Sequence, residues 1–491
     1  MKTKLQLIGL LLCVIILFPS CEKWFDVTAD DQIKAEDQFS TADGFHDALM
    51  GVYLSATSNQ LYGMNMTFNI MDILGQQYLG FTSNLALYSD FQSYNYTQPR
   101  SQSYIENIWN KYYFSIANTN SALQQLDLST IKWYKGEKEI IKGELLALRA
   151  FLHFDLMRTF GHSGFVNRPE LKNRLAIPYS RTYSKDFAPQ LSYAETLTLM
   201  ESDLNEALDL LKFDPVYKNS QLTPEQLADI NQDGFYNKRQ MRMNYYAVKA
   251  LQARVYAWQG GEKMAKAAEA AEEVINDSFA TLLASGTNVI NDRKMSSEQL
   301  FSLEVSNLNV VALAFFEGNQ NTNYIALRMA PLTTEQLFET AVPEIGGLDV
   351  RFNTLIVSEP LGMISIKHRY ENPLALGATL MPLIKLPEMY YIAAEYYSKQ
   401  DMNKAVQYLQ AVRSSRRITQ QLPTTMDLST FDAELIKEYR KEFIAEGQLF
   451  FFYKRKGLTQ IPNYSSDVVA DDKIYMLPYP AAEIEFGNRV Q

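Results

Sequence analysis

The chain has 491 residues, a formal net charge of −10 and 47% hydrophobic residues, which is enough apolar material for a large buried core. No basic stripe stands out along the sequence, and this argues against nucleic acid as a ligand. Tyrosine is abundant, with 30 residues against 4 tryptophans. Much of this tyrosine lies in polar stretches, where a structural core does not need it.

The N-terminus has the pattern of a bacterial lipoprotein signal. A positively charged start precedes the apolar run 7–18, which is shorter than the roughly 20 residues that cross a bilayer core. Cys21 follows directly, at the position of the cysteine that is lipidated in such proteins. We therefore predict a signal peptide over residues 1–20 and a lipid on Cys21. An ordinary signal peptide followed by an unrelated cysteine is the alternative.

Helical spacing of apolar residues predicts long helices over residues 105–126 and 140–160. The second is apolar on most sides, as is usual for a helix at the centre of a larger assembly. We expect Gly161 to end it in the left-handed conformation. Ser192 followed by Glu195 is a capping-box pattern, which predicts that another helix begins there.

Two later blocks share one plan. Helices are predicted over residues 243–259 and 262–276, with Gly260-Gly261 between them, and over 388–399 and 402–413. Small residues that face a tyrosine across a short turn suit two tightly packed antiparallel helices. The blocks resemble tetratricopeptide-type helix pairs, although their spacing is too irregular for a regular solenoid.

The rest of the chain consists of long polar intervals and one more helical segment. A final helix is predicted from Phe431 to about Lys454. The polar intervals are longer than most loops in compact proteins, and such loops are usually functional. Strand-like runs at 300–305 and 363–367 predict small sheets within them.

Several short motifs follow one another in the order found in one known family. By these motifs the chain is identified as similar to the SusD/RagB family of nutrient-binding outer-membrane lipoproteins of Bacteroidetes. The motifs are Cys21-Glu-Lys-Trp-Phe-Asp26, Ile116-Ala-Asn-Thr-Asn120, Gly143-Glu-Leu-Leu-Ala-Leu-Arg-Ala150 through Arg158-Thr-Phe-Gly161, Ser202-Asp-Leu-Asn-Glu-Ala207, Arg242 to Tyr256, Ala393-Ala-Glu395, Val412-Arg413, Arg440-Lys-Glu-Phe-Ile-Ala-Glu-Gly447 and Leu477-Pro-Tyr-Pro-Ala-Ala-Glu-Ile484.

The resemblance implies a mainly α fold, in which irregular tetratricopeptide-like helix pairs form a scaffold for a loop-rich region with short strands. We predict one mature SusD-like domain over residues 21–491. The scaffold is expected mainly at 36–56, 104–161, 192–277 and 386–456, and the loop-rich ligand-binding region mainly at 57–103 and 278–385.

The resemblance also implies a function. It is that of a lipoprotein, anchored in the outer membrane and exposed on the cell surface, that captures a glycan or oligosaccharide and delivers it to a TonB-dependent transporter barrel. Capture of peptides or glycoprotein-derived ligands by the same lid mechanism is the alternative, and an envelope hydrolase is a more distant one.

Motifs for catalysis are missing from the sequence. It contains no phosphate loop, no zinc-protease motif and no nucleophile elbow. The four histidines do not cluster, and His153, within the apolar helix, is expected to be a satisfied core group. Carboxylates are plentiful, so the sequence leaves a glycosidase pair open. We predict a binding protein with no catalytic residues and no cofactor.

Residues 229–240 resemble the first part of a calcium loop, because oxygen-bearing side chains alternate before and after a glycine. Position twelve is Gln240, which lacks the bidentate carboxylate that completes such a site. A turn of Asp, Asn and Gly residues before the next helix is therefore the favoured interpretation, and no metal is predicted. The possible oxygen ligands are Asp229, Asn231, Asp233 and Asn237.

Two aromatic, amide-rich stretches are the best candidates for ligand binding. Flat aromatic rings match the apolar faces of sugar rings, while amides and hydroxyls bond the sugar hydroxyls. The alternative is that these rings pack the loops onto the helices. We predict that at least two of five aromatic residues contact ligand. These are Tyr88, Tyr94, Tyr96, Phe316 and Tyr324.

Overall fold

A computed structural model describes residues 35–81, 85–316, 327–370, 372, 374–375, 377–465 and 467–491. Helices dominate this part of the chain, so the mainly α fold class is confirmed. The helices are α1 Ala35–Gln38, α2 Ala42–Ala56, α3 Ile70–Leu74, α4 Ala86–Gln92, α5 Pro99–Leu128, α6 Glu137–Phe160, α7 Tyr193–Leu210, α8 Pro224–Ile230, α9 Tyr245–Gln259, α10 Lys263–Asp277, α11 Leu308–Phe316, α12 Pro331–Phe338, α13 Val350–Leu355, α14 Leu386–Tyr397, α15 Met402–Ser415, α16 Leu428–Glu442, α17 Leu449–Lys456, α18 Asp472–Tyr475 and α19 Ala481–Glu485.

Short strands form small antiparallel sheets between the helices. Both runs predicted as strand-like lie in strands, one in β3 and the other in β6. Strand β1 pairs with β2, β3 with β7, and β6 lies between β4 and β5. The strands are β1 Leu175–Pro178, β2 Gln190–Ser192, β3 Gln299–Glu304, β4 Arg328–Met329, β5 Ile356–Glu359, β6 Gly362–Ser365 and β7 Leu380–Lys385.

Helix α6 lies between α5 and α7 and is buried on almost every side, as its sequence predicts. Arg149 on α6 donates two hydrogen bonds of 2.7 Å to the carboxylate of Asp203 on α7, which satisfies both buried charges. The predicted capping box of Ser192 and Glu195 is present at the start of α7. These contacts fix the angle at which α7 crosses the central helix.

Gly161 ends α6, but the expectation of a left-handed glycine is wrong. Its φ of −88° and ψ of 178° are extended, a conformation that any residue can adopt. The position needs glycine for a different reason. A Cβ atom there would lie 2.4 Å from the carbonyl oxygen of Met157 and 2.5 Å from the hydroxyl of Tyr193.

The two predicted tetratricopeptide-like pairs are present as α9 with α10 and α14 with α15. Helix α10 packs on both α9 and α14, so the two pairs form one stack. Small residues such as Ala267 and Ala271 are fully buried and allow this close approach. Glu272 then accepts hydrogen bonds from the hydroxyls of Tyr397 and Tyr408, at 3.3 and 2.5 Å.

The single helix predicted over 431–454 is wrong, because the chain forms two helices, α16 and α17, with a tight link between them. Ala445 and Gly447 in this link have φ of 63° and 70°, which no α-helix contains. The backbone N–H groups of both residues donate to the buried carboxylate of Asp72, at 2.9 and 3.0 Å. This distant acceptor stabilises the break, and helical periodicity cannot reveal it.

Buried side chains from the predicted scaffold and from the predicted loop-rich region belong to one hydrophobic core. A small second cluster contains Leu283, Val289, Met295, Val350 and Leu355. The division into two regions therefore stays a prediction. Within the described part of the chain, every helix is too short or too polar to span a bilayer.

Candidate functional site

A polar groove of about 460 Å³ opens where three distant parts of the chain meet. Its volume is within the range of ordinary ligand pockets, roughly 300–1,000 Å³. The groove lies beside α4 and the start of α12, within reach of the segment that follows α17. The residues that line it are Gln76, Gln77, Tyr78, Leu79, Gly80, Ser89, Gln92, Ser93, Ala330, Thr333, Asn463 and Tyr464.

Side-chain amides hold the walls of the groove together. Gln76 donates to the carbonyl of Gln92 at 2.6 Å, and the Gln92 amide donates to the carbonyl of Tyr78 at 2.9 Å. Asn463 donates to the carbonyl of Gln76 at 3.0 Å, which ties the third segment to the first. The backbone N–H of Leu79 donates to the carbonyl of Arg328 in β4 at 2.6 Å. Hydrogen bonds therefore join the backbone segments that form the groove and hold its walls in place.

The backbone next to the groove contains three non-glycine residues in the left-handed region. These are Gln76 at φ 57°, Tyr94 at 56° and Asn463 at 67°. Asparagine adopts this conformation readily, whereas glutamine and tyrosine do so at a cost of roughly 1 kcal/mol or more. Such a strained conformation persists only where surrounding contacts hold the backbone in place. It therefore also fixes the orientation of the neighbouring side chains.

Tyr94 and Tyr96 lie behind the groove, and both are buried. Their hydroxyls donate to the carbonyls of Leu74 and Ile474, at 2.9 and 2.7 Å. The Tyr94 ring packs edge-to-face against Tyr464, with 5.0 Å between the ring centroids. In this packing Tyr94 supports Tyr464, which lines the groove, and Tyr96 packs edge-to-face against Tyr94.

Tyr88 and Phe316 are also buried, away from the groove lining. Tyr88 lies against Phe81 and Phe315, with ring centroids 5.8 and 6.4 Å apart. Burial raises the pKa of Tyr88 to about 12. Phe316 packs against Phe68 at 5.8 Å and is fully buried. These rings pack the loops onto the helices, and ligand contact by Tyr88 or Phe316 stays a prediction. Tyr324 and Cys21, the other two predicted site residues, lie outside the described residues.

Asp72 connects the groove to the link between α16 and α17. Its carboxylate accepts a hydrogen bond from the hydroxyl of Tyr78, which lines the groove, besides the two N–H groups of the link. Burial raises the pKa of Asp72 to about 6, although these hydrogen bonds oppose the shift. The same carboxylate thus positions a wall of the groove and the last part of the scaffold.

Glutamates of the motif near residues 440–447 belong to a buried network of ion pairs. Glu446 accepts hydrogen bonds from Lys367 and Lys385, at 2.8 and 3.0 Å. Glu442 pairs with Arg416, Arg351 and Lys385. Burial opposes the ionisation of Glu442, but these cations outweigh it and hold its pKa well below the usual range. A cavity of about 20 Å³, the size of one water molecule, lies inside the network. These contacts favour a structural role for the segment.

The calcium-like loop is folded as a turn in which its own side chains bond its backbone. Asn231 accepts the N–H of Tyr236 at 2.8 Å and donates to Asn237 at 3.1 Å. Gly234 is left-handed at φ 80°, as the turn requires.

His153 is a satisfied core histidine as expected, because Nε2 accepts the N–H of Ser180 at 3.0 Å and Nδ1 lies 2.8 Å from the carbonyl of Arg149.

Sequence reasoning identified the interval that carries one wall of the groove but not the side chains that face it. It selected the aromatics, whereas the open positions are held by Ser89, Gln92 and Ser93. Their amides and hydroxyls were visible as the polar background of the aromatic cluster. Nothing in the sequence indicates that Asn463 and Tyr464 line the same groove, because they lie far along the chain from residues 76–93.

Residues 23–232 match a family of SusD-like proteins described as "Starch-binding associating with outer membrane". A SusD-like protein of Formosa agariphila, P38, is 26% identical over 189 residues, which cover 38% of this chain and 34% of that protein. The chain thus aligns with about a third of the length of that relative.

Solved structures show the same fold over nearly the whole chain. A SusD superfamily protein from Bacteroides thetaiotaomicron has 23% identity and a TM-score of 0.70, covering 92% of this chain and 99% of its own. The chain is thus similar to SusD-like proteins over residues 23–232 and shares its fold with SusD superfamily structures. A putative sugar binding protein from Bacteroides vulgatus, with 21% identity and a TM-score of 0.68, covers 89% of this chain and 95% of its own. At this identity, the similarity shows a shared fold and nothing more.

Proposed function

We propose that this protein captures a glycan or oligosaccharide in the polar groove and releases it uncleaved to a TonB-dependent transporter barrel. The observation that carries the proposal is the combination of an amide, hydroxyls and one half-buried aromatic ring on a preorganised surface. The amide oxygen of Gln92 and the hydroxyl oxygens of Ser93 and Thr333 can accept hydrogen bonds from a ligand, and Tyr464 offers a ring. Sugars present the complementary surface, with apolar faces and hydroxylated edges.

The comparisons support this choice of ligand over a peptide. The family description names starch, and one protein of the same fold is named a putative sugar binding protein. The described residues of the groove lining include no Asp or Glu, whereas glycoside hydrolysis uses a pair of carboxylates. We therefore expect binding without turnover.

The test is calorimetric titration of the protein with glycans selected on an array, with peptides as the competing ligand class. Tyr464→Ala is expected to weaken glycan binding roughly 10- to 100-fold, because loss of a central aromatic contact typically costs about 1–2 kcal/mol or more. The matched control is Tyr183→Ala, an exposed tyrosine in a separate groove lined by Phe187 and Arg489, which is expected to leave binding unchanged.

Three outcomes contradict the proposal. Equal loss in the control moves the site to the other groove. Tight binding of peptides without any glycan supports the alternative cargo, and release of cleaved products supports a hydrolase. Circular dichroism of both variants shows whether the helical fold is intact.

Anchoring in the outer membrane is the second part of the proposal, and it depends on Cys21. Replacement by alanine removes the thiol that would carry the acyl chains, each of which contributes about 0.8 kcal/mol per buried methylene. We expect Cys21→Ala to leave the outer-membrane fraction and appear in soluble fractions. A variant that still sediments with that membrane in high salt contradicts a lipid anchor.

A further inference from the structure

The ring of His46 is buried near the start of α2, with 5% of the residue exposed. Among the described residues neither ring nitrogen has a hydrogen-bond partner. The ring stacks on Phe235, with 3.7 Å between centroids and 6° between planes, so its orientation is fixed. A buried imidazole without a hydrogen bond loses its hydration uncompensated, and each such group needs a physical explanation.

Three oxygen-bearing groups surround this ring. Nδ1 lies 4.0 Å from a carboxylate oxygen of Asp43 and 3.9 Å from one of Asp233, and Nε2 lies 3.6 Å from Glu137. These distances are too long for hydrogen bonds. They suit a cation between the groups, because metal bonds of about 2.0–2.2 Å to each atom separate two ligand atoms by at most about 4.4 Å.

We propose that Asp43, His46 and Asp233 bind a divalent transition-metal cation of the Zn²⁺ type. Their ligand atoms lie within 4.8 Å of one another, so a shift of a few tenths of an ångström in the two exposed aspartates brings all three onto one cation. Imidazole with carboxylates suits zinc and its neighbours, whereas calcium prefers oxygen ligands alone. The side chains of Asp43 and Asp233 are 86% and 54% exposed, so the cation enters from solvent and keeps water at its remaining positions.

Further contacts orient these ligands. The other oxygen of Asp233 accepts the N–H of Phe235 at 2.9 Å, which directs the free oxygen toward His46. Glu137 accepts the N–H of Tyr134 at 3.2 Å, and its other oxygen lies 3.6 Å from Nε2, just beyond hydrogen-bond distance, on the side where metal-binding histidines commonly have a carboxylate. The calcium-like loop thus contributes one carboxylate to a different kind of site. The bound cation connects this loop to α2, because Asp233 lies in the loop and Asp43 and His46 lie in the helix.

The full chain, purified in detergent and stripped with a chelator, is titrated calorimetrically with ZnCl₂ and separately with CaCl₂. We expect one equivalent of Zn²⁺ to bind and Ca²⁺ to bind at least tenfold more weakly. His46→Gln and Asp233→Asn are each expected to weaken Zn²⁺ binding at least tenfold. Asp229→Asn, an exposed carboxylate of the same loop, is the matched control and is expected to bind like the wild type.

Cobalt substitution gives a second measurement, since visible absorption of Co²⁺ reports nitrogen and oxygen ligands directly and should be lost in His46→Gln. Asp43→Asn, at an exposed position, serves if the buried variant does not fold. The proposal is overturned if Zn²⁺ does not bind, if His46→Gln and Asp43→Asn keep one equivalent at unchanged affinity, or if Ca²⁺ binds as tightly as Zn²⁺. None of these measurements involves glycan, so they stand or fail independently of the proposed groove.

Discussion

Tyr94 shows how one aromatic residue can support a binding surface without facing it. Its hydroxyl is bonded to the carbonyl of Leu74, its ring lies against Tyr464, and its backbone is left-handed. The hydrogen bond fixes the position of Leu74, and the ring contact fixes the position of Tyr464. Burial also raises the pKa of Tyr94 well above the usual range, so the hydroxyl remains a donor at every physiological pH.

We expect Tyr94→Phe to lower the free energy of unfolding by about 1 kcal/mol, because one buried hydrogen bond is lost and the carbonyl of Leu74 stays unpaired. Glycan affinity per folded molecule should stay within about twofold of wild type. Denaturant unfolding and calorimetric titration measure the two quantities. Weaker binding at unchanged stability would instead favour the original prediction that Tyr94 contacts ligand.

At the scale of elements, the break between α16 and α17 lies within a network of buried ion pairs. Lys367 donates to the carbonyls of Glu442 and Ile444, at 3.0 and 2.9 Å, and so satisfies the end of α16. It also pairs with Glu446 beyond the break. One lysine therefore stabilises both the end of the helix and the chain that leaves it.

Glu446→Ala is expected to lower the free energy of unfolding by about 3–5 kcal/mol, because it removes the carboxylate that pairs with buried Lys367 and one of the two that pair with Lys385. The melting temperature should fall before glycan affinity per folded molecule changes. Glu485→Ala, an exposed glutamate of α19, is the control and should melt within a degree or two of wild type. Unchanged melting of Glu446→Ala with lost binding would place this residue in the ligand site.

At the scale of the whole molecule, buried ion pairs connect distant parts of the chain. Arg351 joins α13 to α16 through Glu438, and Arg416 joins α15 to the region before β3 through Glu298. Burial raises the pKa of Glu438, but Arg351 and Lys441 outweigh it, and the pKa falls to about 2. The stability of the fold therefore depends on carboxylates staying ionised.

The sign of the resulting pH dependence follows from this depressed pKa. The contribution of Glu438 is complete above its usual value of 4.5 and is lost as the pH falls toward about 2. A shift of this size corresponds to about 3 kcal/mol. We expect Glu438→Gln to be less stable at pH 7 and to show a shallower loss of stability between these pH values. Denaturant unfolding across this range measures it, with Glu485→Gln as control. Parallel curves for Glu438→Gln and wild type would contradict the assignment.

The sequence by itself determined several of the long helices and the family that the chain resembles. Periodicity and caps are local, so α5, α6 and the start of α7 at Ser192 followed from neighbours a few residues apart. Order of motifs along the chain is also a property of sequence. The predicted lipid on Cys21 rests on the same kind of local pattern and stays a prediction.

Only the tertiary structure decided the break after α16, the role of Gly161 and the face of each aromatic ring. The acceptor for the break is Asp72, 373 residues from Ala445, and one of the two atoms that exclude a side chain at Gly161 belongs to Tyr193. Whether a tyrosine faces ligand or core depends on which distant carbonyl its hydroxyl reaches. The groove and the surroundings of His46 likewise join residues that are far apart in sequence, and contacts over such distances leave no periodic trace in the chain.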